Sequence, residues 1–180
     1  MKRAIVVPAP MPVAAREELK RWLSISSDNE DALMETLLRS SFDLCEAFTW
    51  AMPLEQTCEE HVPASTSWQA LSARPVISAT LLVAIPNQGS AQVLASDDYE
   101  LDIDADQIGR VRMITQGSAR RLQVQYVAGL ASNWDAVPDG IRQGIIRLAA
   151  HHYRERDGAG ATPPASVAAL WRPWRRLRLV

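Results

Sequence analysis

The spacing of apolar residues changes twice along this chain of 180 residues, from a helical repeat to an alternation and back. Within 27–53, apolar side chains recur about every 3.6 positions, as in an amphipathic helix. Residues 99–106 instead alternate between apolar or aromatic and acidic side chains, which is typical of a half-exposed strand. Helical spacing returns after residue 138 with Ile141, Ile145 and Leu148. This order predicts an α+β fold.

The predicted architecture is one domain over 1–180, because a chain of this length suits a single core. The N- and C-terminal segments, 13–60 and 137–172, are expected to form a helical core. A small, mostly antiparallel β module of four to five short strands is inserted between them at 68–130. Residues 173–180 are expected to form a C-terminal arm.

The helical segments carry start and stop signals. Pro12 suits the first position of one helix, and Ser27-x-x-Glu30 has the pattern of a capping box for the next. Pro53 ends that second helix after roughly twenty residues. Its apolar side is predicted to contain Leu33, Leu37, Leu44 and Phe48, with Met34, Leu38 and Cys45 beside them.

Charge is strongly segregated behind a formal net charge of only −2. Residues 28–60 contain nine acidic residues and one arginine, and residues 97–106 contain six acids and no base. Six arginines follow from residue 154 onward. The balance excludes a globally basic nucleic-acid coat. Opposite poles favour head-to-tail association of identical subunits or contacts with different partners.

The last ten residues interleave tryptophan or aliphatic residues with arginine. Three interpretations stay open: a last helix that packs its tryptophans into its own core, a tail that binds another protein, and an arginine cluster that binds nucleic-acid phosphates. The candidate binding residues are Trp171, Arg172, Trp174, Arg175, Arg176, Leu177, Arg178 and Leu179.

The sequence contains no recognisable catalytic motif. Nucleophile-elbow, phosphate-loop, dinucleotide-binding and zinc-protease patterns are all missing, so no catalytic residue is assigned and we expect a protein that is not an enzyme and needs no cofactor. Gly140-x-x-x-Gly144 indicates close helix contact at most.

Metal binding is not expected either. A calcium loop beginning at Asp102 would need glycine and glutamate where the chain has Gln107 and Met113. His151 and His152 are adjacent on a helix and cannot chelate one ion together. Cys45 and Cys58 lack metal-ligand spacing and are expected to be plain buried thiols.

Membrane and export signals are not expected. The apolar run before Pro8 is too short for a secretory signal, and no stretch reaches the about 18 apolar residues of a membrane span. These features predict synthesis in the cytoplasm.

Several motifs, taken in order, resemble the head–tail connector (adaptor, or head-completion) proteins of long-tailed bacteriophages, prophages and gene transfer agents. The similarity covers nearly the whole chain, although the Arg/Trp-rich terminus has no clear counterpart. The matching motifs are Leu19-Lys20-Arg21-Trp22-Leu23, the acidic stretch 28–33, Pro75-Val76, Tyr126-x-Ala128-Gly129 with Val137-Pro138, and His152-Tyr153-x-x-Arg156.

This resemblance implies a non-enzymatic subunit located in the neck of a virion or phage-like particle. Members form a ring, twelve subunits in the particle, beneath the portal protein, where they extend the DNA channel and offer a docking surface to a tail-proximal or stopper protein. DNA passes through without sequence-specific binding, and the C-terminal arm is expected to engage the portal.

Three residue sets receive hypotheses on this basis. The C-terminal set named above is assigned to the portal, and two acidic sets are assigned to other contacts. Subunit contact is expected at Asp28, Glu30, Asp31 and Glu35. A channel-facing acidic strand is expected at Asp102, Asp104 and Asp106. The alternative is a DNA-binding or DNA-packaging accessory protein that uses Arg172, Arg175, Arg176 and Arg178.

Overall fold

Four α-helices and eight β-strands make up the part of the chain that the computed structural model describes, residues 3–115, 117–155 and 162–175. Helices and antiparallel strands together confirm the predicted α+β class. The described residues divide into two compact units. The β unit comprises those within 3–9 and 55–129, and the helical unit those within 10–54 and 130–175. That the whole chain is one domain stays a prediction.

The helical unit contains helices from both ends of the chain. They are α1 (Val13–Leu23), α2 (Asp31–Thr49), α3 (Asp139–Arg154) and α4 (Ala165–Trp171). The 19 residues of α2 confirm the long second helix. Its start differs from the prediction, because the hydroxyl of Ser27 accepts a hydrogen bond from the Asn29 amide (3.2 Å) and the helix begins only at Asp31.

The buried face of α2 lies one position away from the predicted apolar side. Its buried residues are Met34, Leu38, Ser41, Cys45 and Thr49. The two hydroxyls on this face donate to carbonyls four residues back, Ser41 to Leu37 (2.8 Å) and Thr49 to Cys45 (2.7 Å), so burial leaves neither unsatisfied. Leu33 is 40% exposed as a result.

The C-terminal end of α4 packs against two glycines of α3, Gly140 and Gly144. The Trp171 indole packs against Gly144, where a Cβ would overlap it, and its Nε1 donates to the Ile141 carbonyl (3.3 Å). A Cβ on Gly140 would lie 3.3 Å from the Leu170 carbonyl oxygen. The two glycines therefore allow close helix contact, as their spacing predicted.

The β unit contains two antiparallel sheets. One has the strand order β1-β2-β8-β4-β5 and the other the order β3-β7-β6. The strands are β1 (Ala4–Val7), β2 (Gln56–Pro63), β3 (Gln69–Ala70), β4 (Val76–Pro86), β5 (Gln92–Val93), β6 (Tyr99–Ile103), β7 (Gly109–Met113) and β8 (Ala119–Ala128).

Two strands lie outside the predicted β module. Strand β1 comes from the N-terminus, and the first five residues of β2, 56–60, lie in the segment assigned to the helical core. Strand β2 escaped recognition because Glu60 is one of its buried residues (3% exposed), which hides the apolar alternation. Glu60 Oε2 accepts hydrogen bonds from the Ser72 amide (2.9 Å), the Ser72 hydroxyl (2.9 Å) and the Tyr126 hydroxyl (3.0 Å).

Candidate interaction surfaces

The acidic residues at the start of α2 contact bases of the same helical unit. Lys20, on α1, lies against Asp28 and Asp31, with Nζ 3.0 Å from Asp31 Oδ1. Arg16, one turn earlier, places Nε 3.3 Å from Asp31 Oδ2 and Nη1 2.8 Å from Glu35 Oε1. Three of the four residues expected at subunit contacts are thus neutralised within the subunit.

The acidic residues Asp28, Glu30, Asp31 and Glu35 form a group that we call the helical acidic cluster. The lysine that contacts this cluster, Lys20, is only 5% exposed, and its hydrogen bonds to Asp28 and Asp31 raise its pKa. The same contact lowers the pKa of Asp28, although that side chain is 86% exposed. Glu30 accepts a hydrogen bond from the Tyr153 hydroxyl on α3 (2.5 Å). Through these contacts the cluster links α1, α2 and α3 within one subunit.

The three-stranded sheet presents a charged ladder, which consists of Glu100 and Asp102 on β6 opposite Arg112 and Arg110 on β7. Arg112 Nη2 lies 2.6 Å from Glu100 Oε2. The Arg112 guanidinium also lies 4.7 Å from the centre of the Trp68 ring, within cation–π range. The ladder therefore carries both signs of charge.

Asp104 and Asp106 do not extend this ladder, because β6 ends at Ile103. Asp104 Oδ1 accepts hydrogen bonds from the amides of Asp106 and Ile108 (2.9 Å each), and Oδ2 lies 3.0 Å from Arg110 Nη2. The bond from Ile108 contributes most to lowering the pKa of Asp104. A carboxylate that closes a turn competes with strand extension. The predicted strand face thus keeps only Asp102.

The C-terminal set divides between buried and exposed side chains. Trp171 is fully buried, with its ring centroid 5.9 Å from that of Phe48. Arg172 and Arg175 are exposed and Trp174 is half-buried, and the Arg175 guanidinium lies 5.3 Å from the Phe48 ring centre. Burial assigns Trp171 to packing, as in the core interpretation, and corrects its assignment to partner contact. Arg176, Leu177, Arg178 and Leu179 lie outside the described residues.

Cysteine and histidine side chains are possible metal ligands among the described residues. Among the described residues, no three His, Cys, Asp or Glu side chains are placed to hold a metal ion. Cys45 and Cys58 are buried free thiols, as predicted, and burial raises the pKa of Cys45 to about 12. His151 lies 3.4 Å from Glu155, while burial and then His151 lower the pKa of His152.

One cavity of about 490 Å³ lies in the β unit between the end of β4 and the start of β8. It is lined by 86–88 and 117–120, in which Arg120 is the charged residue.

None of the described helices is long and apolar enough to span a bilayer.

The fold has counterparts among solved particle structures. A chain in the neck of an empty GTA particle, computed with C6 symmetry, matches with a TM-score of 0.81 and 24% identity over 100% of this chain and 98% of that one. They share a fold. A chain in the virion of a native gene transfer agent (GTA) particle matches with a TM-score of 0.78, 25% identity and the same coverage.

A third match is to a chain in the neck of a native GTA particle computed with C12 symmetry, with a TM-score of 0.79 and 24% identity over the same shares of both chains. No protein-family model matches the sequence, and no curated protein matches it.

Sequence reasoning missed the basic partners of both acidic sets. One signal was available: Arg110-x-Arg112 alternates on a strand-like segment just after Glu100-x-Asp102, as expected for paired strands of opposite charge. Arg16 and Lys20 are four positions apart, so they share one face of a helix.

Proposed function

We propose that this chain is a structural subunit of the neck of a virion or gene-transfer-agent particle, where it acts as the head–tail connector. The main support is a shared fold over the entire length of this chain and 98% of chains from two GTA neck structures. The proposed role is assembly of the neck.

The proposed assembly is a ring of twelve subunits beneath the portal protein. Two of the matching necks were computed with C6 and C12 symmetry, which fits a ring whose copies make identical head-to-tail contacts. In this role the ring extends the DNA channel and receives a tail-proximal or stopper protein on its far side.

Cryo-electron microscopy of particles from cells that produce a tagged full-length chain tests the role directly. We expect the chain to co-purify with particles and to occupy a twelvefold ring between portal and tail. A chain missing from particles, or located in the capsid shell or tail tube, would contradict the proposal.

The portal-contacting surface is proposed at the exposed Arg172 and Arg175 and the half-buried Trp174, together with 176–179. Trp171 supports this arm from the core of the helical unit. Tryptophan and arginine are the residue types most enriched at binding hot spots.

Arg172→Ala combined with Arg175→Ala should reduce co-purification with the portal at least tenfold, about 1.4 kcal/mol of binding free energy. The matched control is Arg21→Ala with Arg39→Ala, which removes two exposed arginines from α1 and α2. Equal portal binding by both double variants would exclude the arm as the docking element.

The acidic residues keep narrower proposed roles. Among the helical acidic cluster, Asp28 is the most exposed, so it is the member that can pair with a neighbouring subunit. On the β unit, Asp102 is the residue proposed to face passing DNA, with Asp104 and Asp106 at the turn beside it. Nearby Arg110 and Arg112 reduce the repulsion that an acidic face alone would exert on DNA.

A DNA-binding or packaging accessory role is the second candidate, favoured by the exposure of Arg172 and Arg175. It predicts duplex binding in a gel-shift assay that weakens steeply with salt and is lost in the Arg172→Ala, Arg175→Ala variant. Binding that is absent at low salt would exclude it.

A further inference from the structure

The N-terminal strand β1 forms an edge of the five-stranded sheet, and its register against β2 shifts once, between Ile5 and Val7. Among the described strands it pairs only with β2, and its four residues are all exposed, with Ile5 at 42%, Val6 at 39% and Val7 at 59%. No charged residue occurs in 4–15. Edge strands of soluble proteins are normally protected by charges, bulges or a covering segment, because an exposed apolar edge pairs with other chains.

The opposite side of the same sheet is also incompletely paired. Strand β5 covers β4 only at Val83 and Ala84, with one further bond from the Leu94 amide to the Leu82 carbonyl (3.0 Å). Along 77–81, no described strand pairs with β4 on the side away from β8. Ile77 is 45% exposed there, and 75–96 contain no charged residue.

Strand direction shows how these two edges fit each other. Every neighbouring pair in the sheet is antiparallel, so β1 and β4, three places apart, run in opposite senses. A second copy placed beside the first with its strands in the same sense therefore brings its β1 antiparallel to β4. Four residues of β1 match the five open residues 77–81 in length.

We infer that β1 of one subunit pairs with residues 77–81 of β4 in the next subunit and continues the sheet between them. The inference rests on the proposed ring function and locates a subunit contact in it. The occupant is a second copy because the two edges belong to one sheet, lack charge and have matching lengths and senses. A contact between two different edges is head-to-tail and gives a ring when the rotation between copies closes, whereas β1 against β1 would stop at a dimer.

Cysteine cross-linking in particles tests this contact. A chain with Val6→Cys and Ile77→Cys, treated with a short bismaleimide, should give a ladder of oligomers. Either single variant should remain monomeric, and so should the unmodified chain, whose two cysteines are buried.

Three outcomes would overturn the inference. One is particles that contain the double variant but give no ladder, and a second is a cross-linked dimer from Val6→Cys alone. The third is cross-linking of β1 to a different neck protein. The proposed function stands in each of these cases, since the chain is still in the neck, and fails if the chain is absent from particles or lies in the capsid shell or tail tube.

A charge introduced on the β1 edge provides a second test. Val7→Lys places a lysine on an exposed residue of β1, so the subunit should fold but enter particles about tenfold less, because the lysine becomes unpaired in the contact. Val13→Lys is the matched control, since Val13 is similarly exposed (63%) but lies on α1. Equal incorporation of the two variants, with unchanged circular dichroism, would also overturn the inference.

Discussion

The two units balance their acidic residues in different ways. In the helical unit, Lys20 is 5% exposed and lies against two carboxylates near the start of α2. In the β unit, the side chains of Arg110 and Arg112 are 43% and 38% exposed; Arg110 pairs with Asp104 in the turn after β6, and Arg112 pairs with Glu100 on the sheet. A buried ion pair is costly to break, whereas an exposed pair adds little stability. The helical cluster therefore holds the fold, and the charged ladder mainly shapes a surface.

Tryptophans of the two units give the largest expected contrast. Trp171→Ala should lower the free energy of unfolding by about 3–5 kcal/mol, because it removes a fully buried indole. Trp68→Ala should cost only about 0.5–1 kcal/mol, because that ring is 40% exposed and its cation–π contact with Arg112 lies at the surface. Urea denaturation followed by far-UV circular dichroism measures both changes. Similar losses would break the distinction between the units.

Replacement of one base in each unit gives the next contrast. Lys20→Met should lower the thermal midpoint, because it removes the buried lysine that pairs with Asp31, although Asp31 keeps Arg16 and Asp28 is exposed to water. Arg112→Met should cost at most about 1 kcal/mol, since its pair with Glu100 is solvated. Differential scanning calorimetry at one pH and salt concentration compares them. A smaller effect for Lys20→Met would contradict the role assigned to the helical acidic cluster.

The smallest effect is expected from pH at the turn after β6. The pKa of Asp104 is lowered in the folded chain, so its stabilising contribution is complete above the usual aspartate pKa of about 4 and is lost as pH falls through the folded value. Asp104→Asn should be less stable than the unmodified chain at pH 7, and the difference should shrink below about pH 4.

Asp102→Asn is the control for this measurement, because Asp102 is an exposed residue on β6 itself. We expect its stability to follow that of the unmodified chain across the pH range. If both variants gave the same pH profile, the amide contacts of Asp104 would not account for the effect.

The sequence predicted the helical unit better than the β unit. The 3.6-residue repeat and Pro53 identified α2, and Gly140 with Gly144 indicated the close contact that Trp171 makes. Strand β2 was missed because Glu60 is buried, and its satisfaction depends on Tyr126, 66 positions away. In the sequence, a buried polar residue cannot be told from an exposed one, because its burial depends on hydrogen-bond partners that are distant along the chain.

The sequence by itself determined the α+β class, the long second helix and the segregation of charge, since each follows from residues close together in the chain. Only the tertiary structure decided which charges neutralise each other, which residue of the C-terminal set is buried and which strands form open edges. Local spacing reports one face of one element at a time. Contacts such as Trp171 with the Ile141 carbonyl, or β1 with β2, form only when distant segments pack together, so no local pattern contains them.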